Sequence, residues 1–347
     1  MTKQMTTLTV LMAASALAGC GGGTAKLLNP APYADVYNAT YASAEKDVMS
    51  KVLAKAGDTI EGGAISARNG YSDALDADEV VLQEPEAVKI EKTADGYILH
   101  ASGEKVAFTA AEDKGGYYEL VVKNQNGHDR TIGYFYAAFD DLAALQASDS
   151  SMVPLGYGIR VKDGDAAATA DDADGFVNGF TIVGLETNPS AMPKTGTASY
   201  QGGAQIQAHP KVVDYDPGAP DMVERIRYRG DAMLSADFGA GTVSGTVALN
   251  DRRFSYTKSP NSSNDPTVAG AALTLETADI IGNGFSSELT ANAAAATQMA
   301  TDGISADTQA TAVGRFYGTD AGQVGAIVGG EGTSHVITGV LAGDRTP

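Results

Sequence analysis

The sequence holds one cysteine, Cys20, only four histidines, and 24 basic residues against 43 acidic ones in a chain of 347. A single thiol excludes an intramolecular disulfide, so the core must be held by packing. A formal charge of −19 excludes an ordinary nucleic-acid binder, which needs a basic face to displace counterions. It also disfavours charge-driven adsorption to an anionic membrane, while leaving open the steering of a basic partner. The usual catalytic spacings are missing too. No His-Glu-x-x-His, Gly-x-Ser-x-Gly or Walker A sequence occurs. The chain reads as a non-enzyme.

What is present is 43 % apolar residues and 41 glycines, a balance that suits an all-β protein better than a helical one. At the N-terminus, Lys3 opens a positive region and Leu8 to Leu17 form an apolar run of signal-peptide length. The tetrapeptide Leu17-Ala18-Gly19-Cys20 that follows is similar to a bacterial lipobox, in which the cysteine is lipidated and becomes the mature N-terminus. An ordinary secretory signal followed by a chance thiol is the plainer alternative. The lipobox reading makes residues 1–19 a lipoprotein signal peptide and Cys20 the lipidation site, with palmitate-type acyl chains anchoring the chain to a membrane. Gly21 follows where inner-membrane retention uses Asp, which by analogy sends the protein to the bacterial outer membrane. Residues 20–32 are then a lipidated, flexible tether.

Ser43 to Ala56 carries the expected helix, with Ser43 as cap, Val48, Met49, Val52, Leu53 and Ala56 on one stripe, and Gly57 as stop. From Gly62 to Phe139 short β-runs alternate with turn pairs, among them Asp95-Gly96, Ser102-Gly103, Gly115-Gly116 and Asn126-Gly127. Residues 33–148 are expected to form a small β-rich domain with one short helix. Residues 163–175 are acidic and alanine-rich. Their spacing does not fit an EF-hand, so a solvated loop joining Gly156–Val161 to Gly175–Gly184 is expected instead.

Alternation is clearest between Ile226 and Leu249. Ile226, Tyr228, Gly230, Ala232, Leu234, Ala236 and Phe238 make one face of a strand, with Arg227, Arg229, Asp231, Ser235 and Asp237 on the other. Met233 is the only apolar residue on the wet side. After Gly239-Ala240-Gly241, Val243, Gly245, Val247 and Leu249 resume the dry face. About eight or nine such runs follow Pro154, enough for an up-and-down barrel that satisfies its own edges. Charges on its outer face rule against a lipid-spanning barrel. A soluble barrel over residues 149–347 is expected.

Four runs occur in order in that half: Met192 to Gly202 (MPKTGTASYQG), Ala236 to Gly245 (ADFGAGTVSG), Ile281 to Phe285 (IGNGF) and Gly314 to Gly330 (GRFYGTDAGQVGAIVGG). Together they resemble the transferrin-binding protein B family of surface lipoproteins. The resemblance implies one lobe, with a small β "handle" domain and an eight-stranded antiparallel barrel. It also implies a surface-exposed outer-membrane lipoprotein that binds a host or nutrient ligand of the iron-carrier or haem type. Such a protein would pass its cargo to a TonB-dependent receptor. A structural or adhesive envelope protein without cargo is the alternative, since an eight-stranded barrel can be filled by its own side chains.

Candidate sites are few. A haem-binding relative would use one or two of His100, His128, His209 and His335, or a tyrosine, as axial ligands. No other cofactor and no metal is implied. Tyr134, Phe135, Tyr136 and Phe139 could face a ligand, but packing between the two domains is the expectation. Arg229-Gly230-Asp231 lies within a strand, which argues against display as an adhesive loop, and Gly239 to Gly245 reads as a hairpin turn rather than a dinucleotide fingerprint.

Overall fold

The computed structural model describes residues 37–70, 78–114, 117–123, 129–138, 149–161, 175–213, 222–256 and 264–347. The signal peptide, Cys20, the tether to residue 32, His128, Phe139, the turns at Gly115-Gly116 and Asn126-Gly127, and residues 163–174 of the acidic loop lie outside them. The first sheet is built from β1 (Thr40–Tyr41), β2 (Thr59–Gly70), β3 (Asp78–Leu82), β4 (Glu86–Lys92), β5 (Gly96–Ala101) and β6 (Glu104–Thr109). It continues with β7 (Tyr117–Lys123), β8 (Asp129–Ala137), β9 (Met152–Val161) and β10 (Gly175–Glu186). Antiparallel pairing runs β6–β5–β4–β2–β10–β9–β8–β7, with β3 beside β4 on the same edge of β2.

That sheet curls on itself until Val106 of β6 sits against Gly133 of β8. Inside the curl, Tyr97, Phe108, Tyr118 and Phe135 make edge-on and stacked ring contacts with centroids 4.9–6.1 Å apart.

The second sheet contains β11 (Thr197–Pro210), β13 (Val223–Asp237), β14 (Thr242–Tyr256), β15 (Asn264–Pro266) and β16 (Ala272–Asp279), while the intervening β12 (Val212–Val213) pairs with β3 of the first sheet. It ends with β17 (Gly284–Ala291), β18 (Gln309–Tyr317), β19 (Gln323–Glu331) and β20 (His335–Arg345). β11, β13, β14, β16, β17, β18, β19 and β20 pair antiparallel in sequence order, and β20 returns to β11 over Tyr200↔Arg345 to Pro210↔His335. The protein is mostly β, and this is a closed eight-stranded antiparallel barrel without a free edge.

The alternation read from Ile226 onward holds in place. Ile226, Tyr228, Ala232, Leu234 and Ala236 are buried, while Arg229, Asp231, Met233, Ser235 and Asp237 are exposed. Two of the runs counted after Pro154 behave differently. β9 and β10 hydrogen-bond to β8 and β2 in the first sheet, so the barrel's own strands start at Thr197. The range 149–347 thus includes three strands that pair in the other sheet, β9, β10 and β12.

The helices also differ from expectation. Over Ser43–Ala56 only α1 (Met49–Val52) is helical. Val48 is extended because the Met49 N–H donates to Ser150 O (2.9 Å) and the carbonyl of Asp47 accepts from Ser151 Oγ (2.7 Å), tying the segment to the start of β9. A second helix, α2 (Ala293–Thr301), was not expected. It is capped by Asn292, whose side chain accepts from the Ala295 N–H (2.9 Å).

The barrel core centres on Phe316, fully buried with Tyr200, Phe238 and Phe285 at centroid distances of 5.9, 5.7 and 6.0 Å. Gly314 exists for that cluster, since a Cβ there would fall 2.1 Å from Cζ of Phe285. Gly318 serves the turn after β18, with φ of +82°. Replacing Phe316 by Ala is expected to lower unfolding free energy by about 3–5 kcal/mol in a urea titration. Gly314→Val should destabilise at least as much by displacing the Phe285 ring.

Candidate functional site

The barrel does not wear one surface all round. β13 and β14 alternate buried and exposed residues, but β18, β19 and β20 are buried on both faces over most of their length. Their outward residues Val313, Ile327 and Val340 pack on Ile65, Phe180 and Ile182 of the first sheet. Gly325 lets Ile182 approach, because a Cβ there would meet Ile182 Cδ1 at 2.6 Å. The first sheet is therefore clamped against one side of the barrel.

β10 runs from one body to the other. Its terminal Glu186 is 3 % exposed, accepts from Asn283 Nδ2 (2.8 Å) and from the Tyr37 hydroxyl, and lies 3.9 Å from Arg315 Nε. Thr187 adds two bonds, from its N–H to Phe316 O (2.8 Å) and from its hydroxyl to Gly318 O (2.7 Å).

Beside this apolar seam lies a polar one. Tyr134 and Tyr136 point out of β8 toward the barrel while Phe135 between them points into the core of the first sheet. Their rings lie over Gly158 and Gly156, the residues directly opposite on β9, where a Cβ would come within 2.2–2.3 Å of a ring carbon. The hydroxyl of Tyr136 accepts from Gln205 Nε2 (3.0 Å) and Gln207 Nε2 (3.4 Å) of β11, and the Arg227 guanidinium sits 5.8 Å from its ring. The Tyr134 hydroxyl donates to Asn178. These tyrosines do pack between the two bodies, whereas Phe135, expected beside them, is in the core of the first sheet because neighbouring strand residues face opposite sides.

Next along β11, His209 is fully buried beneath Phe176 of β10. Its Nε2 lies 3.5 Å from Thr338 Oγ1, and Nδ1 has no hydrogen-bond partner. Burial, helped by the positive charge of Arg225, His335 and Arg227, holds the ring well below the ordinary histidine pKa. His335 is buried one register position away and shares a 2.8 Å contact between Nδ1 and Ser334 Oγ; burial brings it down to about 4. His100 sits on β5, 3.1 Å from Glu91. Because His209 lies opposite Val336 and His335 opposite Pro210, the two side chains leave opposite faces of the β11–β20 pair: His209 faces the junction, His335 does not, and His100 sits apart on β5.

The barrel interior retains one apolar cavity of about 70 Å³ whose lining includes Ile206, Leu249, Leu289, Met299 and Ile337 and no histidine. That is well under the 300–1,000 Å³ of a typical ligand pocket. A cleft of about 740 Å³ lies instead at the junction of the two bodies. Ala137 and Met152 to Pro154 form one wall, and Gly202, Gly203, Ala342 and Gly343 give the barrel side a floor of small residues. Asp149, Asp231 and Asp344 line it, and Gln323 is fixed between Asp344 Oδ1 (2.6 Å from its Nε2) and the Ser151 N–H (2.7 Å from its Oε1). Three carboxylates and exposed backbone suit a donor-rich, basic ligand group. Among the described residues no group of three His, Cys, Asp or Glu stands ready to hold a metal ion.

Residues 192–345, the strands of the closed barrel, match the model of the C-lobe and N-lobe β-barrels of transferrin-binding protein B. Its barrel is transferrin-binding protein B-like. Similar solved structures include a transferrin-binding protein B from Haemophilus parasuis (17 % identity, TM-score 0.42, covering 82 % of this chain and 45 % of that one). The isotype 1 protein from serogroup B Neisseria meningitidis follows at 16 % identity and TM-score 0.40, covering 82 % and 43 %. The N-lobe of lactoferrin-binding protein B from Moraxella bovis follows at 13 % and 0.34, covering 82 % and 99 %. The chain spans under half the length of the first two of these three. No curated protein matches it.

The buried histidines make the fold acid-sensitive. With an unfolded value near 6.5 and lowered values in the fold, unfolding takes up protons as the pH falls below about 6.5, so stability drops there. The slope is about 1.4 kcal/mol per pH unit for each histidine. Urea midpoints measured from pH 7.5 to 4.5 should fall accordingly, and the double variant His209→Gln/His335→Gln should flatten the profile.

Proposed function

We propose that this chain is a non-enzymatic lipoprotein of the bacterial outer membrane that captures a host or nutrient protein of the iron-carrier type at the cell surface. What supports the reading most is the barrel over residues 192–345 and its match to the transferrin-binding protein B barrels. In this reading residues 1–19 are removed, Cys20 carries the acyl chains and the segment after it spaces the folded part from the membrane. A closed, internally packed barrel is a rigid platform. Recognition would then lie on rim loops and in the acidic junction cleft. The mechanism is affinity and electrostatic steering, with release to a TonB-dependent outer-membrane receptor and no covalent step.

Haem is the second cargo class, with His100, His128, His209 and His335 as its candidate ligands. An envelope protein with a structural or adhesive role is favoured by one observation, the nearly filled barrel interior.

Cells expressing the Cys20→Ser variant should lose acyl labelling and release the protein from the membrane fraction. Immobilised protein is expected to bind an iron-loaded transferrin or lactoferrin saturably, and reversing the cleft (Asp149→Lys, Asp231→Lys and Asp344→Lys together) should weaken that binding at least tenfold. A Soret shift on haem titration would move the cargo to haem. No binding in either assay would leave the structural reading.

A further inference from the structure

The end of the barrel away from its glycine-rich turn at Gly318–Gly322 is unzipped along one seam. β17 and β18 pair from Gly284↔Arg315 to Leu289↔Ala310 and no further. Beyond that point Thr290 and Ala291 pair only with β16, and Gln309 only with β19. The chain then leaves β17 through Asn292 and lays α2 beside the opening. This helix is alanine-rich, buries only Ala295 and Gln298, and brings one large apolar side chain, Met299, to the gap.

Behind the gap lies the interior cavity of about 70 Å³. In front of it lies an outer cleft of about 380 Å³. Six residues line both: Leu289, Ala291, Met299, Ile304, Thr308 and Ala310. The inner space is therefore a blind end reached from the surface between α2 and the β17–β18 seam. Its two hydroxyls are engaged elsewhere, Tyr228 with Asp302 Oδ2 at 2.6 Å and Thr308 with Ser305 Oγ at 3.3 Å. A space with no free polar group holds no ordered water and takes an apolar guest. It is about half the 150 Å³ that admits a benzene ring, so a narrow linear chain fits better than a ring.

The outer cleft sets the other end of the guest. Glu288, Thr290, Ser305 and Gln309 line it, giving one carboxylate, several neutral hydrogen-bonding groups and no base. An anionic head would meet repulsion and no compensating cation.

We propose that the barrel takes the terminal carbons of a neutral or cationic single-chain amphiphile into its interior through the gap between α2 and the β17–β18 seam, leaving the head group on the rim beside Glu288. Thioether flexibility lets Met299 swing aside and pack again on the chain. The site is independent of the junction cleft and of any protein cargo.

Methyl-¹³C-methionine spectra of the full-length protein test this, with the Met299 signal assigned through Met299→Leu. Titration with 1-butanol through 1-decanol should move the Met299 methyl saturably. Affinity should tighten roughly fourfold per added methylene until the space is filled, while octanoate should bind at least tenfold more weakly than 1-octanol. The Met233 methyl, exposed on the opposite kind of surface, should not move. Ala291→Phe, or Ala310→Leu if the first does not fold, should abolish the shift with the β-sheet circular dichroism unchanged. An unmoved Met299 signal in the wild-type protein, a Met233 shift in parallel, or equal binding of octanoate would each overturn the proposal.

Discussion

Everything in this molecule hangs on one side of the barrel being too apolar to face water. Closure pairs each of the eight strands on both sides over most of its length, but it does nothing for the outward side chains of β18, β19 and β20. Val313, Ile327 and Val340 need a cover, and the first sheet supplies it through Ile65, Phe180 and Ile182. Burial of such side chains is worth about 1.5–3 kcal/mol each, so the two bodies hold together through several of them. The smaller polar seam beside it then fixes the alignment, because Tyr136, Gln205 and Gln207 must meet in register for the glutamine amides to be used.

Glycines make this approach possible, each for its own neighbour. Gly156 and Gly158 leave room for tyrosine rings, Gly314 for Phe285, and Gly325 for Ile182. The same small residues pave the junction cleft at Gly202, Gly203 and Gly343. Where the two bodies diverge, that paving is left open, and three aspartates stand around it.

Strands wet on one face were legible from the sequence, because alternation from Ile226 to Leu249 reports directly which side meets water. Strands dry on both faces were not. β9 and β10 are largely apolar without a clean alternation, and such a run says that a strand is covered without saying by which sheet. Gln205, Gln207 and His209 carried the opposite ambiguity: polar residues alternating with Ala204, Ile206 and Ala208 read as a solvated face, yet the first sheet covers them. α1 is shorter than its amphipathic stripe because backbone bonds to Ser150 and Ser151 outcompete another helical turn. α2 did leave a trace, an asparagine cap followed by four alanines, but its weak apolar face hid it. The junction cleft had no sequence signature, since its walls come from six strands far apart in the chain.

Glu186 joins the barrel's Asn283 to the end of the first sheet, and it is also where Tyr37 is held. Next to it, Thr40 and Tyr41 run parallel to Leu185 and Glu186, with the Ala42 N–H donating to Glu186 O at 2.8 Å. Tension applied to the chain ahead of residue 37 would arrive first at this spot. The load would pass into both bodies at once and along the strand direction, so a tug from the N-terminal side pulls on the whole lobe rather than peeling one half from the other.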